Sequence, residues 1–276
     1  MSRIDAHQHY WSLSRGDYGW LTPALSRIYR DFGPADLKPL LADHGIGRTI
    51  AVQAAPTEAE TRFLLGIAER EDSVAGVVGW TDFEAADAPE AIARLSADRK
   101  LAGLRPMVHD IADPRWLEGP ALSAAFEAMT AHRLVFDALL KPRHLEPMLR
   151  VVERHPELSV VIDHGAKPDL ASGDLEQWRH GIAALAKHRQ VVCKLSGLVT
   201  EAAPGWTVAT LRPAVEHLLD CFGPQRLLWG SDWPVVTLAC DYRCWFETSE
   251  TLLAGLSETE REAVFGGNAA RIYLSS

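Results

Sequence analysis

Ile4-Asp5-Ala6-His7-Gln8-His9 reads as a short strand near the start of the chain, and Leu227-Leu228-Trp229-Gly230-Ser231-Asp232-Trp233-Pro234 carries another near its far end. Side chains alternate along a strand, so the two histidines of the first stretch belong on one face. Asp232 ends an apolar run about as late in the chain as the last strand of a barrel would fall. The first and last strands of a closed barrel are neighbours. In that arrangement His7, His9 and Asp232 converge.

Working outward, six further short apolar or β-branched runs, at 49–53, 74–80, 101–105, 134–139, 159–164 and 191–196, lie between the strands at 4–9 and 227–232. Near-continuous apolar stretches such as Leu158-Ser159-Val160-Val161-Ile162 suit parallel strands covered on both faces. Helix signals separate them. Thr57-Glu58-Ala59-Glu60 reads as a capping box opening a helix to about Glu71, Asp87-Ala88-Pro89 starts another, and Ser257-Glu258-Thr259-Glu260 caps a terminal one. Segments 120–132, 142–155, 174–187, 207–222 and 241–254 show 3.6-residue apolar spacing. Eight βα units predict an α/β fold, a single-domain (β/α)8 TIM barrel over residues 1–276. The first unit carries a long insertion, from Tyr10 to about Pro34, with Trp11, Tyr18, Trp20, Tyr29 and Arg30. Such an insertion on the βα side predicts a lid, or an aromatic loop packed on the rim.

The chain has 276 residues, 47% of them hydrophobic, and no low-complexity tract that would serve as a linker. Barrels of about 250 residues form single domains. The net charge of −9, with charged residues spread evenly along the chain, argues against nucleic acid, whose phosphates need a basic stripe. No stretch approaches the roughly 20 apolar residues of a membrane span, and the first residues show no apolar signal core. No glycine-rich dinucleotide or Walker sequence follows a strand. Cys193, Cys221, Cys240 and Cys244 lack metal spacing and read as free thiols, with Cys240 and Cys244 four apart in an expected helix. A cytoplasmic enzyme is expected, and nothing in the chain bars a homo-oligomer.

Chemistry in such barrels sits at the C-terminal ends of the strands. There the sequence places His7 and His9, Gln53, Thr81 and Asp82, Arg105, Asp137, His164, Lys194 and Ser196, and finally Asp232, with Lys141 just after strand five. Asp137 reads equally well as an interior group satisfied by neighbours, and Lys194 as an ion pair at the barrel top. His109, His132, His144, His155, His180, His188 and His217 read as surface or helix-end residues. Asp110, Asp113 and Glu118 read as a solvated loop.

These residues resemble the amidohydrolase superfamily. The resemblance rests on His7-x-His9, on Val161-Ile162-Asp163-His164 with Lys167-Pro168, on Gly230-Ser231-Asp232-Trp233-Pro234, and on Gly267-Asn268-Ala269-Ala270-Arg271-Ile272-Tyr273. It spans essentially the whole chain and is closest to the sugar lactonase branch, the relatives of 2-pyrone-4,6-dicarboxylate lactonase. It implies a metal-site barrel in which the strand-eight Asp activates water. The chain departs from the fuller metal pattern: Leu104-Arg105 stands where binuclear members place a bridging lysine or glutamate. Leu134-Val135-Phe136-Asp137 lacks the strand-five histidine of mononuclear members. One divalent cation, zinc for instance, at His7, His9 and Asp232 is therefore expected to be allowed rather than strictly required.

Lactone hydrolysis needs a base for water, donors for the developing oxyanion and an acid for the leaving oxygen. Asp232 with His7 and His9 suits the base, and Arg105, His164 or Lys194 the oxyanion. Gln53, Lys141, Lys194, Trp20 and Trp233, together with Trp80, suit a neutral polyhydroxyl ring. A dicarboxylate pyrone would need several arginines, and Arg105 alone ends a strand. The expected substrate is a neutral sugar lactone such as L-fuconolactone or L-rhamnonolactone. The alternatives are a 2-pyrone-4,6-dicarboxylate-type lactonase, a metal-dependent decarboxylase on the same fold, and a silent barrel that binds a small ligand.

Overall fold

A computed structural model describes residues 3–275, and the terminal residues of the expected 1–276 domain lie outside that range. Eight parallel strands follow one another around one sheet in chain order: β1 Arg3–Gln8, β2 Ile46–Val52, β3 Val74–Gly79, β4 Leu101–Leu104, β5 Val135–Ala138, β6 Val160–Ile162, β7 Val191–Leu195 and β8 Leu227–Trp229. Each expected strand is present, trimmed at its end. β8 is three residues long, and the barrel closes beyond it, where Gln8 bridges Trp233 and His9 N donates to the Trp233 carbonyl at 2.7 Å. The β1–β2 pairing shifts register between Asp5 and Gln8, so strict alternation does not describe the strand that carries the histidines.

The helices α1 Pro34–Asp43, α2 Glu58–Arg70, α3 Ala88–Leu95, α4 Leu122–Ala131, α5 Leu145–Arg154, α6 Glu176–Leu185, α7 Val208–Phe222, α8 Tyr242–Leu252, α9 Glu258–Glu262 and α10 Asn268–Tyr273 complete the chain. Neither α1 nor α10 was among the expected helices, although α1 opens on Pro34 and Asp36 accepts from Gly33 N at 3.0 Å. The Ser257 box forms in both directions, whereas Thr57 accepts from Glu60 N but Glu60 does not return the bond. Its carboxylate is fully buried and instead takes Tyr18 OH at 2.7 Å and Ala54 N at 3.1 Å. Cys240 lies before α8, with only Cys244 inside it, and all four cysteines are free.

Two apolar layers hold the barrel. The larger fills the space between strands and helices. The smaller fills the barrel itself: Val135, Val161, Val192 and Leu228 meet Ala269 and Tyr273 of α10. Asn268 fixes α10 there by donating to the Pro224 and Leu227 carbonyls, each at 2.8 Å. Two residues on from the valines of β5, β6 and β7 stand Asp137, Asp163 and Lys194. The interior thus changes from an apolar to a charged layer toward the C-terminal face. The 10–33 insertion is a packed wall: Trp11 and Phe32 exchange backbone hydrogen bonds at 3.0 Å, and Trp11 meets Trp20 and Phe32 edge-on.

Candidate active site

Asp232, His9 and His164 come together at the base of a cavity of about 210 Å³ on the C-terminal face. His9 Nε2 lies 3.2 Å from Asp232 Oδ1, and His164 Nε2 lies 3.9 Å from the same oxygen. His7 sits just beneath, fully buried, with Nε2 3.2 Å from His9 Nε2 and 3.7 Å from Asp232 Oδ1. Two glycines make this approach possible. A Cβ on Gly230 would fall 2.7 Å from His7 Cβ, and one on Gly197 would fall 2.5 Å from His164 Nδ1. Asp232 and the run His164-Gly165-Ala166-Lys167 all have left-handed backbone, with φ between 51° and 59°. For the non-glycine residues that conformation costs about 1–2 kcal/mol each, so the surrounding packing must hold it.

Outer partners orient the rings. His9 Nδ1 faces the Val52 carbonyl at 2.7 Å, so it carries a proton and leaves Nε2 as a lone pair. His7 Nδ1 is 3.3 Å from Asp163 Oδ1 and 3.2 Å from Lys194 Nζ. With the His7 proton on Nδ1, beside the Asp163 carboxylate, His7 Nε2, His9 Nε2 and Asp232 Oδ1 are three converging acceptors. A cation or a proton among them is what satisfies that arrangement. The three offer ligand atoms within 4.8 Å of one another and fit one divalent cation. A second set, His7, Asp163 and His164, meets the same spacing. It suits an ion less well, because Lys194 at 3.0 Å and Arg105 at 3.2 Å already neutralise Asp163.

Burial lowers the pKa of His7 and of His164 well below the usual imidazole value. Burial pushes the Asp232 carboxyl up, but His164, His9 and Lys167 outweigh it and hold it below the usual carboxylate range. Asp232 is therefore an anion at neutral pH beside a neutral His164. Asp163, also opposed by burial, is held well down by Lys194, His7 and Arg105, whereas burial raises Asp137 to about 6 despite Lys194.

Not every expected residue reaches the cavity. His9, Arg105, His164, Asp232 and Trp20 line it, with Trp20 held by Nε1 donating to the Ala54 carbonyl at 2.7 Å. Lys194 does not: it is fully buried, 2.5 Å from Asp137 Oδ2, and belongs to the charged layer below. Asp137 is thus interior, and it also accepts Tyr273 OH at 2.8 Å. Gln53 is buried too, donating to the Arg105 carbonyl at 2.6 Å. Trp233 packs edge-on against Phe32 at 5.2 Å, and Lys141 lies outside the lining. A strand-end position sets a side chain's height in the barrel but not whether neighbours cover it.

Conversely, His109, Asp110 and Lys167 line the cavity although sequence reasoning left His109 and Asp110 to the surface and gave Lys167 no role. His109 is lowered to about 4 by burial, with Lys167, Arg105 and Lys141 adding to the effect against Asp110. Lys167 pairs with Glu201. His144 is buried rather than superficial, its Nδ1 accepting from Lys141 N at 3.0 Å. Asp163 was passed over beside His164. The signal for it was present: two interior cations, Arg105 and Lys194, demand buried counter-ions.

Strand-end imidazoles around an ionised carboxylate, on the C-terminal face of eight parallel strands, define a (β/α)8 enzyme of the kind that activates water. The chain belongs to the amidohydrolase family, whose profile matches residues 4–274. It is 49% identical over 275 residues to an L-fucono-1,5-lactonase of Burkholderia ambifaria, covering 98% of this chain and 95% of the relative. A second L-fucono-1,5-lactonase, from Burkholderia multivorans, is 39% identical, with 98% and 95% covered. A crystal structure of an amidohydrolase from B. multivorans with bound zinc superposes with a TM-score of 0.94 at 38% identity, over 99% of each chain.

Proposed function

We infer that this chain is a lactonase that opens the ring of a neutral sugar lactone to its aldonic acid, with a six-membered L-fucono-1,5-lactone as the favoured substrate. The observation that carries the reading is an ionised Asp232 set among His9, His7 and His164 at the floor of a sugar-sized cavity. The names of the 49% and 39% identical relatives support the substrate class.

Asp232 is the base that takes the proton from the attacking water. His9, pinned by Val52, keeps its ring edge toward that carboxylate. Arg105 has both terminal nitrogens held, NH1 by Asp163 and NH2 by the Gln53 carbonyl, while Nε is buried with no partner. It is a fixed cation in the cavity lining, placed to stabilise the oxygen that gains charge as the ester carbonyl is attacked. His164 Nδ1 is 2.9 Å from Ser196 Oγ. A proton donated from Ser196 leaves Nε2–H facing the cavity as a second donor to the developing oxyanion, and the proton that Asp232 takes from water passes on to the leaving ring oxygen.

His7, His9 and Asp232 would hold a single divalent cation, and such an ion would make water at that position more acidic. Lactone hydrolysis does not strictly require it in this reading, because the ester is already activated and Arg105 NH1 brings positive charge to 3.4 Å from His7 Nε2. One barrel domain over 1–276 in the cytoplasm completes the proposal. No described helix is long and apolar enough to cross a membrane.

A dicarboxylate substrate is disfavoured because Arg105, the one arginine in the lining, has already committed its fork to Asp163 and Gln53. The test is a panel of aldonolactones and a pyrone dicarboxylate followed by a pH indicator. Neutral lactones, L-fucono-1,5-lactone first and L-rhamnonolactone among them, are expected to exceed the dicarboxylate in kcat/KM by about tenfold or more. A dicarboxylate ahead by that factor would overturn the pocket reading. Failure to open any lactone would overturn the function.

A further inference from the structure

Next to the central pocket, on the same face, lies a second cavity of about 480 Å³. Its wall is made of indole and phenyl rings from Trp80, Phe83 and Trp116, with the carboxylates of Asp17, Asp82 and Glu84 between them. It shares Trp20, Met107 and Asp110 with the central pocket, so the two are compartments separated by one ridge. Two of its polar atoms are buried without a partner: Trp116 Nε1 and Asp17 Oδ1. The other oxygen of Asp17 is already taken by Arg15 at 2.6 Å and Thr57 at 2.9 Å.

We propose that this cavity is a second sugar subsite, which holds a pyranose ring linked to the lactone in the central pocket. The proposal rests on the lactonase reading above. A pyranose has C–H faces that lie against aromatic rings and an edge of hydroxyls that both donate and accept. The carboxylates take the donated hydrogens, and the idle Trp116 N–H needs an oxygen acceptor. No lysine or arginine lines the cavity, so an anionic ligand meets only like charge. An ammonium ligand would suit the acids and rings but offers nothing to the Trp116 donor. The substrates implied are glycosyl aldonolactones, the products of oxidising the reducing end of a disaccharide.

The experiment compares a bare hexono-1,5-lactone with lactobiono-1,5-lactone, which carries a second pyranose, and follows lactose binding by saturation-transfer NMR. The two-ring lactone is expected to show a KM about fivefold or more below that of the bare one. Trp116→Ala and the exposed-site variant Glu84→Gln should remove that advantage and weaken lactose binding, leaving kcat and the bare lactone's KM unchanged. Equal KM values for the two substrates in the wild type would overturn the proposal. Equal losses on both substrates in folded variants would overturn it as well. Lactose binding displaced by choline at low millimolar concentration would give the cavity to cations instead. Loss of all hydrolysis with lactose still bound would count against the lactonase reading alone.

Discussion

Glu60 is a buried carboxyl whose ionisation the fold resists, and replacing it with glutamine should change how stability depends on pH. Burial raises its pKa to about 7 from an ordinary 4.5, although Tyr18, Ala54 N and Arg15 all favour the charged form. Between those two values the folded protein holds a proton that the unfolded chain has lost, so wild-type stability falls as pH rises from about 4.5 to about 7. Below that window the group is neutral in both states, and above it the loss is complete. At about 1.36 kcal/mol per pH unit the loss reaches about 3 kcal/mol at most. Glutamine keeps one acceptor for Ala54 N, and its amide can donate to a turned Tyr18 hydroxyl. Urea unfolding of wild type and Glu60→Gln at several pH values between 4 and 8 isolates this one group, because the other raised carboxyls, Asp5 and Asp137 at about 6, cancel in the difference. The variant should gain on wild type by about 1–3 kcal/mol across the window. A flat difference, or a wild type that gains as pH rises, refutes the reasoning. The same substitution bears on the site, because the Glu60 carboxylate holds Ala54, whose carbonyl holds Trp20.

Asp232→Asn keeps shape and hydrogen bonding but removes the base, and kcat should fall by about three orders of magnitude with the melting temperature within a few degrees of wild type. Activity within about tenfold of wild type would end that assignment. Arg105→Met should lower kcat by about 10²- to 10³-fold, read in steady-state kinetics, and an unchanged kcat/KM would leave the arginine a purely structural counter-ion of Asp163. Prolonged chelation, with metal content measured, is expected to lower the melting temperature while lactone hydrolysis persists. Loss of activity in proportion to metal, restored by Zn²⁺, would show that the ion is required.

The sequence determined the architecture because its signals are local. β-branched runs recur at barrel spacing, Thr57, Asp241 and Ser257 announce helix starts, and Asp232 ends the last strand opposite His7 and His9. Once eight strands run in order around a closed sheet, the meeting of those three residues follows from chain position alone. Only the tertiary structure decided which strand-end groups face solvent. Lys194 and Gln53 occupy strand-end positions like those of Arg105 and His164, yet Asp137 and Asp163 draw the lysine into the interior and the Arg105 carbonyl takes the glutamine. The left-handed turn at 164–167, which brings Lys167 to the cavity, has no propensity signal, since three of its four residues are not glycine. His109 and Asp110 reach the pocket through a loop whose course depends on what packs against it. Periodicity and capping are properties of neighbours in sequence. The burial of a charge depends on partners dozens of residues away, and no local pattern encodes them.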